Sequence, residues 1–171
     1  MEFNRAIHIF PKFNNSETLD SYRKKYDPLY GLINIHITLV FPFKSKLTDN
    51  DINKHIWSVL LGVESFKISL HGFSKSPDGY IFLNIIDGFD KLVSLNDKLY
   101  SGILSNFRNK EIKYTPHITI GKIEKEEKLD SVLLELNSLN LFFKENITTI
   151  YTEIIDSKGN SIVESKFLLN N

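Results

Sequence analysis

Apolar and polar residues alternate along the whole chain in short segments of two different periods. Segments with aromatic and β-branched residues at alternating or consecutive positions are typical of strands, and apolar residues three and four apart are typical of amphipathic helices. The sequence therefore predicts strands at residues 3–10, 33–41, 66–73, 80–86, 118–123, 141–155 and 162–169. Helical spacing of apolar residues predicts four helices, with stripes at 19–26, 52–60, 92–103 and 129–136.

Turn and cap residues set the order of these elements. Ser16 and Thr48 are placed to cap the first two helices, and Asp51 is a possible acidic partner of Thr48 in the first turn. Turn-rich segments at 74–79 and 157–160 predict two hairpins, the second at the C-terminus. Frequent hairpins among alternating helices and strands favour the α+β class over a doubly wound parallel sheet. The chain has no Ser/Gly-rich linker that would divide it.

One short string occurs twice. Residues 35–39 read Ile-His-Ile-Thr-Leu and residues 116–120 read Pro-His-Ile-Thr-Ile. Each string is predicted to end a strand-like run, and an apolar helix follows each one. We infer a duplicated half-domain whose two copies are related by a pseudo-two-fold axis.

The repeated string carries the candidate chemistry. Residues two apart on a strand point to the same face, so each imidazole and its threonine hydroxyl share a face while the isoleucine packs behind. With the two strands side by side, His36 and His117 would face one cavity together with Thr38 and Thr119. One neutral imidazole could then take a proton from water and one imidazolium could protonate a leaving oxygen. The hydroxyls would hydrogen-bond the non-bridging phosphate oxygens.

Composition and charge narrow the ligand and the compartment. Lys and Arg balance Asp and Glu, 21 against 21, which argues against a grip on duplex DNA and favours a small ligand or an RNA terminus. There is no Cys, which excludes disulfides, thiolate metal sites and a cysteine nucleophile. No signal-peptide stretch or membrane-spanning run is predicted. We expect a cytoplasmic protein with no membrane partner, working as a monomer.

The other histidines and two lysines receive plainer interpretations. His8 is expected to be a packed or exposed strand residue, although it could line the cavity. His55 is expected to be exposed on a helix, and His71 to make a hydrogen bond to a loop. Lys44 and Lys122 follow the two motifs at different offsets, which favours a solvated surface for both.

Tyr114 and a possible metal site complete the candidates. Tyr114 leads directly into the second motif and is a candidate for stacking a base. His8, His36 and His117 could in principle form a metal site, but no acidic residue stands at a ligand-like spacing with them. Threonine has no role in such a site and has one in binding phosphate. We therefore predict no metal and no cofactor.

The motifs and their surroundings resemble the 2H phosphoesterase superfamily, in its bacterial 2′-5′ RNA ligase-like and RNA 2′,3′-cyclic phosphodiesterase branch. The similarity extends over residues 26–30, 35–43 and 114–121 and over the order of elements between and after them. It implies a single domain over residues 1–171, with two intertwined lobes of pseudo-symmetric antiparallel sheets around a central cleft. It also implies metal-independent cleavage of a 2′,3′-cyclic phosphate, at an RNA end or on a small nucleotide. The superfamily's functional residues fall on His36, Thr38, His117 and Thr119.

Two alternatives stay open at the level of sequence. The cleft could be a binding module that holds a nucleotide or RNA end without cleaving it. Both His-Thr pairs could also be core features of an ordinary interaction domain, in which case the two histidines would be buried and far apart. The sequence does not choose the substrate, and it does not say which histidine is the acid and which the base.

Overall fold

A computed structural model describes residues 2–170 and contains two antiparallel sheets with four α-helices. The strands are β1 Phe3–Ile9, β2 Ile37–Ser45, β3 Phe66–Lys75, β4 Tyr80–Asp87, β5 His117–Lys122, β6 Phe142–Ile147, β7 Thr149–Ile155 and β8 Ser161–Leu168. The helices are α1 Glu17–Tyr26, α2 Asp49–Leu60, α3 Phe89–Leu99 and α4 Glu126–Ser138, with a 3-10 helix at Gly102–Phe107. None of the helices within residues 2–170 is long and apolar enough to cross a bilayer.

The two sheets are built alike, which confirms the expected α+β class and the pseudo-symmetric pair of sheets. One sheet has the order β2-β1-β7-β8 and the other the order β5-β4-β3-β6. In each, an edge strand carries a His-x-Thr string and pairs antiparallel with the strand that precedes it in the sequence. β2 therefore corresponds to β5, and β1 corresponds to β4. The two motif strands are in contact with each other across the two sheets.

The first helix of each half packs on the motif strand of the other half. α1, which follows β1, packs against β5, and α3, which follows β4, packs against β2. Gly121 in β5 allows this approach, because a Cβ atom there would lie 2.6 Å from the Cβ atom of Tyr26. The apolar residues between the sheets and helices form one buried core, including Ile37 and Leu39 of the first motif strand. Each half thus supplies a helix that packs on the motif strand of the other half.

The caps predicted from the sequence have different outcomes. Thr48 and Asp51 form a reciprocal capping box at the start of α2, in which each side chain accepts a hydrogen bond from the other residue's backbone N–H. Ser16 stands at the cap position of α1, but its side chain makes no cap hydrogen bond. Its backbone is in the helical region there, so it does not have the extended conformation typical of a capping side chain.

Two strand predictions were wrong in their bounds. The predicted strand at 33–41 begins only at Ile37 and continues through Pro42 to Ser45. Pro42 is tolerated because β2 is an edge strand and the pairing register with β1 shifts around it, as at a bulge. The predicted strand at 141–155 is two strands, β6 and β7, that separate at Thr148 and join different sheets. Periodicity alone cannot show that a strand changes sheets.

The remaining elements match the sequence patterns closely. The hairpin between β3 and β4 and the terminal hairpin between β7 and β8 are both present. The third helix is shorter than the 92–103 stripe indicates, since α3 ends at Leu99 and Ile103 lies exposed in the 3-10 helix. The side chain of Tyr100, the residue after α3, is buried against β2, where its hydroxyl accepts a hydrogen bond from the Phe41 N–H. This contact accounts in part for the end of the helix at Leu99.

Candidate active site

The first motif lies at the entry to β2. Ile37 is fully buried, whereas His36 and Thr38 on either side of it are partly exposed. Alternation along the strand therefore places imidazole and hydroxyl on one face, as the sequence predicts. One detail was wrong, since the motif begins its strand and does not end it. The four residues before it form the connection from the loop after α1.

The second motif has the same arrangement at the entry to β5. Ile118 is fully buried, and His117 and Thr119 are partly exposed on the opposite face. β5 begins at His117, so this motif also starts its strand. Because β2 and β5 lie near each other, the structure brings all four predicted residues to the same region. Two buried and distant histidines, the arrangement expected of an ordinary interaction domain, are not what the structure has.

Both imidazoles are held by the same hydrogen bond. Nδ1 of His36 lies 2.8 Å from the carbonyl oxygen of Asn34, and Nδ1 of His117 lies 2.7 Å from the carbonyl oxygen of Thr115. A carbonyl oxygen only accepts, so each Nδ1 carries the hydrogen. In the neutral form of each ring, Nε2 is then the atom with a free lone pair. No residue pattern indicates this bond, since any residue two positions earlier supplies a carbonyl.

Side chains from the second half satisfy the free edge of β2. The hydroxyl of Tyr114 donates to the carbonyl of Thr38 at 2.8 Å, and the buried amide of Asn96 donates to the carbonyl of Leu39 at 2.7 Å. Burial raises the pKa of the Tyr114 hydroxyl, which keeps it a donor. Tyr114 thus joins the approach to the second motif with the strand of the first. Its predicted stacking on a base stays a prediction.

The two histidines differ in the ring that packs behind each. His8 on β1 stands opposite Thr38, and its ring centroid lies 4.6 Å from that of His36. Phe82 on β4 stands opposite Thr119, and its ring centroid lies 3.8 Å from that of His117. The two backing residues occupy equivalent positions in the two sheets. One is ionisable and the other is not.

Surroundings lower the pKa of both imidazoles. For His36 the pKa falls from an ordinary value of 6.5 to about 3, chiefly because burial disfavours the charged ring and next because of the charge on His8. Arg23 and His117 add smaller contributions in the same direction, and the carbonyl of Asn34 opposes them. For His117 the pKa is also lowered, by burial. Without a ligand, the neutral form of both rings is therefore favoured.

Arg23 is a residue of this region that motif reasoning missed. It is 2% exposed, although it lies within the helical stripe of α1. Its guanidinium binds the carboxylate of Asp27 at 2.9 Å and donates to the carbonyl of Ile33 at 2.9 Å. It therefore fixes the connection that delivers His36 to the strand. An arginine within an otherwise amphipathic stripe was the available signal.

The other histidines and the two lysines are accounted for as follows. His8 is buried, which confirms the packed interpretation, although it packs against the site. His55 is only half exposed and its Nε2 lies 2.9 Å from the carbonyl of Leu99, so its predicted solvent exposure was wrong. His71 makes the expected hydrogen bond, to the carbonyl of Leu141 at 2.9 Å. Lys44 and Lys122 are exposed.

Residues 2–170 contain no group of three His, Asp or Glu side chains placed to hold a metal ion together. His8 is engaged by a carboxylate instead, since its Nδ1 lies 2.5 Å from Oε2 of Glu153. The candidate site therefore has three groups: the two motif imidazoles, the two threonine hydroxyls and a buried histidine–glutamate pair.

The fold and the paired His-x-Thr strings define the class of the protein, the 2H phosphoesterase-like fold. The crystal structure of E. coli LigT in apo form has this fold, with a TM-score of 0.66 and 16% identity over 100% of this chain and 99% of that chain. The structure of E. coli LigT complexed with 3′-AMP gives a TM-score of 0.65 and 15% identity over the full length of both chains.

Sequence comparison then gives the family. A model of the 2′-5′ RNA ligase superfamily matches residues 11–152, which is most of the chain. A Bacillus licheniformis protein named "Putative phosphoesterase" is 26% identical over 168 residues, 96% of this chain and 97% of that protein. One of the same name from Geobacillus thermodenitrificans is 29% identical over 83% of this chain and 82% of its own length. The chain belongs to the 2′-5′ RNA ligase superfamily.

Proposed function

We propose that this chain is a metal-independent phosphodiesterase that hydrolyses a 2′,3′-cyclic phosphate, at an RNA end or on a small nucleotide. His36 and His117 exchange the protons of the reaction, and Thr38 and Thr119 bind the non-bridging oxygens of the phosphate. The observation that carries this proposal is the matched pair of Nδ1 hydrogen bonds, to Asn34 and to Thr115. Matched bonds of this kind leave an Nε2 lone pair on each ring.

The chemistry follows from these free Nε2 atoms. One neutral imidazole takes a proton from water as the water oxygen bonds to phosphorus. The bond from phosphorus to one ribose oxygen breaks, and the other imidazole, as imidazolium, gives that oxygen a proton. The products are a phosphomonoester and a free ribose hydroxyl. Each threonine hydroxyl can donate to an oxygen where negative charge accumulates in the transition state.

A bound substrate favours the protonated form of one ring. Both imidazoles have a lowered pKa in the ligand-free protein, and the negative charge of a bound phosphate raises it. The optimum of kcat/KM, which reports the free protein, is therefore expected below the ordinary imidazole value of about pH 6.5. A bell-shaped profile is expected because one ring must be neutral and the other charged.

Family relationship supports the class of reaction and of ligand. Relatives covering nearly all of this chain carry the name phosphoesterase. E. coli LigT, which shares the fold, has been crystallised with 3′-AMP and with phosphate. A phosphate-bearing nucleotide is therefore the natural first ligand to test here.

The test is a screen of purified protein, in EDTA, with 2′,3′-cyclic nucleotides, cyclic-phosphate-ended RNA and 2′-5′ oligoadenylate. We expect hydrolysis of a cyclic phosphate, and the product identifies whether the 2′ or the 3′ oxygen leaves. Changing His36→Ala or His117→Ala should each lower kcat by about 10²- to 10⁴-fold, the usual contribution of a positioned acid or base. His71→Ala, in β3, is the matched control and should keep the wild-type rate.

Three results would contradict the proposal. Full activity in either site variant would remove the imidazoles from the mechanism. A cyclic nucleotide that binds the wild-type protein but stays uncleaved for hours would favour the binding module instead. Loss of activity in EDTA that returns with a divalent cation would argue for a metal-dependent reaction.

A further inference from the structure

One row of side chains crosses the sheet β2-β1-β7-β8 from the first motif to the far edge. Thr38 of β2 is paired with His8 of β1, and His8 is paired with Tyr151 of β7. Tyr151 is paired in turn with Lys166 of β8. Residues that stand opposite each other on neighbouring strands point to the same face of a sheet. Tyr151 and Lys166 therefore lie on the face that carries the hydroxyl of Thr38, and Lys166 is three strand spacings, about 14 Å, away from it.

Aromatic rings cover this row between the motif and Tyr151. Phe10 directly follows β1, and its ring centroid lies 6.4 Å from that of His36 and 5.1 Å from that of Tyr151. The rings of Phe10 and Tyr151 meet edge to face, and both residues are partly exposed. Nζ of Lys166 lies 5.9 Å from the centre of the Tyr151 ring. A continuous path of rings thus leads from the imidazole of His36 to an ammonium group.

A cavity of about 450 Å³ lies along this path, and we call it the Tyr151 groove. Its lining includes Phe10, Lys12, Tyr151 and Lys166, together with Asn34, the residue whose carbonyl holds the imidazole of the first motif. A second hollow of about 380 Å³ shares Phe10, Lys12 and Asn34 with it. Cavities of this size bind small molecules in many proteins. The Tyr151 groove is therefore continuous with the candidate active site and large enough for a ligand group.

The charges of the Tyr151 groove suit a phosphate. Among the described residues that line it, three are charged: Lys12, Lys166 and Glu153. The carboxylate of Glu153 is buried, where it is bonded to Nδ1 of His8 and accepts a hydrogen bond from the hydroxyl of Ser161. Both lysines are exposed, and neither forms an ion pair with another side chain of residues 2–170. The accessible charge of the groove is therefore positive and attracts an anion.

The second sheet carries different residues at the equivalent positions. Ser74 of β3 corresponds to Tyr151, because it stands opposite Phe82, the residue paired with Thr119. The hydroxyl of Ser74 donates to the side chain of Asn84 within the same sheet. A small polar side chain is thus enough for the architecture that the two sheets share. The aromatic ring and the cation of the first sheet are not needed for folding of the duplicated half, which favours a role in binding.

We propose that the Tyr151 groove is a subsite for the nucleotide that precedes the cyclic phosphate, so that the preferred substrate is an RNA end and not a single nucleotide. The base of this nucleotide stacks on Tyr151 beside Phe10, and Lys12 and Lys166 bind the phosphate that joins it to the terminal nucleotide. Every base has a π-face, and lysine binds phosphate as a point charge, so the subsite recognises chain length and not sequence. This inference rests on the proposed function for the terminal cyclic phosphate.

The test compares three substrates that differ by one group each. They are adenosine 2′,3′-cyclic phosphate, the same nucleotide with a 5′-phosphate, and the dinucleotide ApA with a terminal 2′,3′-cyclic phosphate. The wild-type kcat/KM should increase by a few-fold with the 5′-phosphate, which meets the lysines. It should increase by about tenfold more with the second nucleoside, as stacking of one base provides. Equal kcat/KM values for all three substrates would overturn the proposal.

Variants of the groove should remove these two increases separately. Tyr151→Leu should lower the ratio of kcat/KM between the dinucleotide and the 5′-phosphorylated nucleotide by about tenfold. Lys12→Ala combined with Lys166→Ala should remove the increase due to the 5′-phosphate. In this double variant the slope of log kcat/KM against log salt concentration should become shallower by about 0.7, the value for one phosphate contact on a single strand. A merely structural role would lower the rates with all three substrates alike, and that result would contradict the subsite.

The matched controls are Trp57→Leu and Lys54→Ala on α2. Trp57 packs on Phe167, with ring centroids 5.3 Å apart, and Phe167 neighbours Lys166 on β8 but points to the opposite face of the sheet. Lys54 is exposed on the same helix. The two changes remove an aromatic ring and a cation outside the groove and should keep both substrate ratios at their wild-type values. Ratios that change as much in these controls as in the groove variants would overturn the assignment.

A modified substrate tests the stacking without any change to the protein, and serves if Tyr151→Leu does not fold. A dinucleotide whose first residue lacks its base should be cleaved by the wild-type protein with the kcat/KM of the 5′-phosphorylated nucleotide. Cleavage as efficient as that of ApA with its terminal cyclic phosphate would exclude a contribution from the base, and with it the stacking on Tyr151.

Failure of the proposed function gives a different result from failure of the subsite. If the three substrates are cleaved with equal kcat/KM, the proposed function stands and the subsite is wrong. If none of them is cleaved, the proposed function is wrong, and equilibrium binding then decides on the groove. In that case ApA with a 3′-phosphate should bind about tenfold more tightly than adenosine 3′,5′-bisphosphate, and equal affinities would overturn the subsite as well.

Discussion

The two halves of the site carry the same string on the same kind of edge strand, but the residue that packs behind the histidine differs between them. Behind His36 lies His8, bonded to a buried glutamate, and behind His117 lies Phe82. The strand position, the Nδ1 hydrogen bond and the exposed threonine are the same in both halves. The two halves thus hold equivalent imidazoles, and one neighbouring residue makes the surroundings of these rings unequal.

This difference matters because an acid–base reaction uses one neutral and one charged group. Two imidazoles in identical surroundings would hold a single proton equally often, so neither would be preferred as the acid or as the base. A symmetric scaffold therefore gains from an asymmetry in charge. The comparison also identifies the residue that differs between the two halves. His8 lies opposite Thr38, and Phe82 lies opposite Thr119.

The largest effect that tests the equivalence of the two halves comes from the threonines. Thr38→Val and Thr119→Val keep the shape of the side chain and remove one hydroxyl donor each. Each change should lower kcat by about 10²- to 10³-fold, as loss of one transition-state donor does. Steady-state kinetics on a 2′,3′-cyclic nucleotide measures both.

Similar losses of kcat in the two variants would mean that the two hydroxyls contribute equally, although the surroundings of the two histidines differ. A loss confined to one variant would extend the asymmetry to phosphate binding. Thr148→Val, on an exposed residue between β6 and β7, is the control and should keep the wild-type rate. Wild-type kcat in both site variants would contradict a role for either hydroxyl.

A smaller effect compares the two imidazoles through stability. Folding lowers the pKa of His36 from 6.5 to about 3, so between these values the unfolded chain binds more protons than the folded one. The His36 ring therefore costs the folded protein no stability above about pH 6.5, and the free energy of unfolding decreases as the pH falls from 6.5 towards 3. His36→Gln should lose less stability than wild type between pH 7 and 4.5, by about 1–2 kcal/mol given partial exposure of the ring.

Urea unfolding at the two pH values measures this difference. His117→Gln should show the same sign, because its pKa is lowered too, and a smaller size because it lacks a charged neighbour such as His8. His71→Gln gives the baseline for losing an imidazole outside the site. An equal effect for His36 and His117 would mean that their different neighbours do not make the pKa values of the two rings unequal.

Much of the fold followed from local pattern, and the four motif residues followed from alternation and repetition. Most helices and strands were predicted within a few residues, because each has an amphipathic stripe or a β-branched run bounded by turn residues. His36 and His117 stood out because each is flanked by apolar residues in a repeated string. Those signals are local in the sequence, so they can be read without tertiary structure.

What the sequence could not give depends on contacts between distant segments. His8 and Glu153 are 145 residues apart, and nothing near either one indicates the other. The change of sheet at Thr148 replaces one pairing partner by another without altering the alternation. Tyr114 is close to His117 in the sequence, but its hydroxyl donates to the carbonyl of Thr38, 76 residues away.

The smallest predicted effect concerns this link between the two halves. Tyr114→Phe removes the hydroxyl that donates to the carbonyl of Thr38 and keeps the aromatic ring. A partly buried carbonyl then lacks a partner, and the free energy of unfolding should fall by about 1 kcal/mol. Because the bond links the segment that leads into β5 with β2, kcat should fall by a few-fold while KM stays near wild type. Tyr114→Leu removes the ring as well, and a further rise in KM for a nucleotide would support base stacking. If Tyr114→Phe leaves both stability and kcat unchanged, the two halves of the site are held in register by packing of α1 and α3, and this hydrogen bond contributes nothing to their alignment.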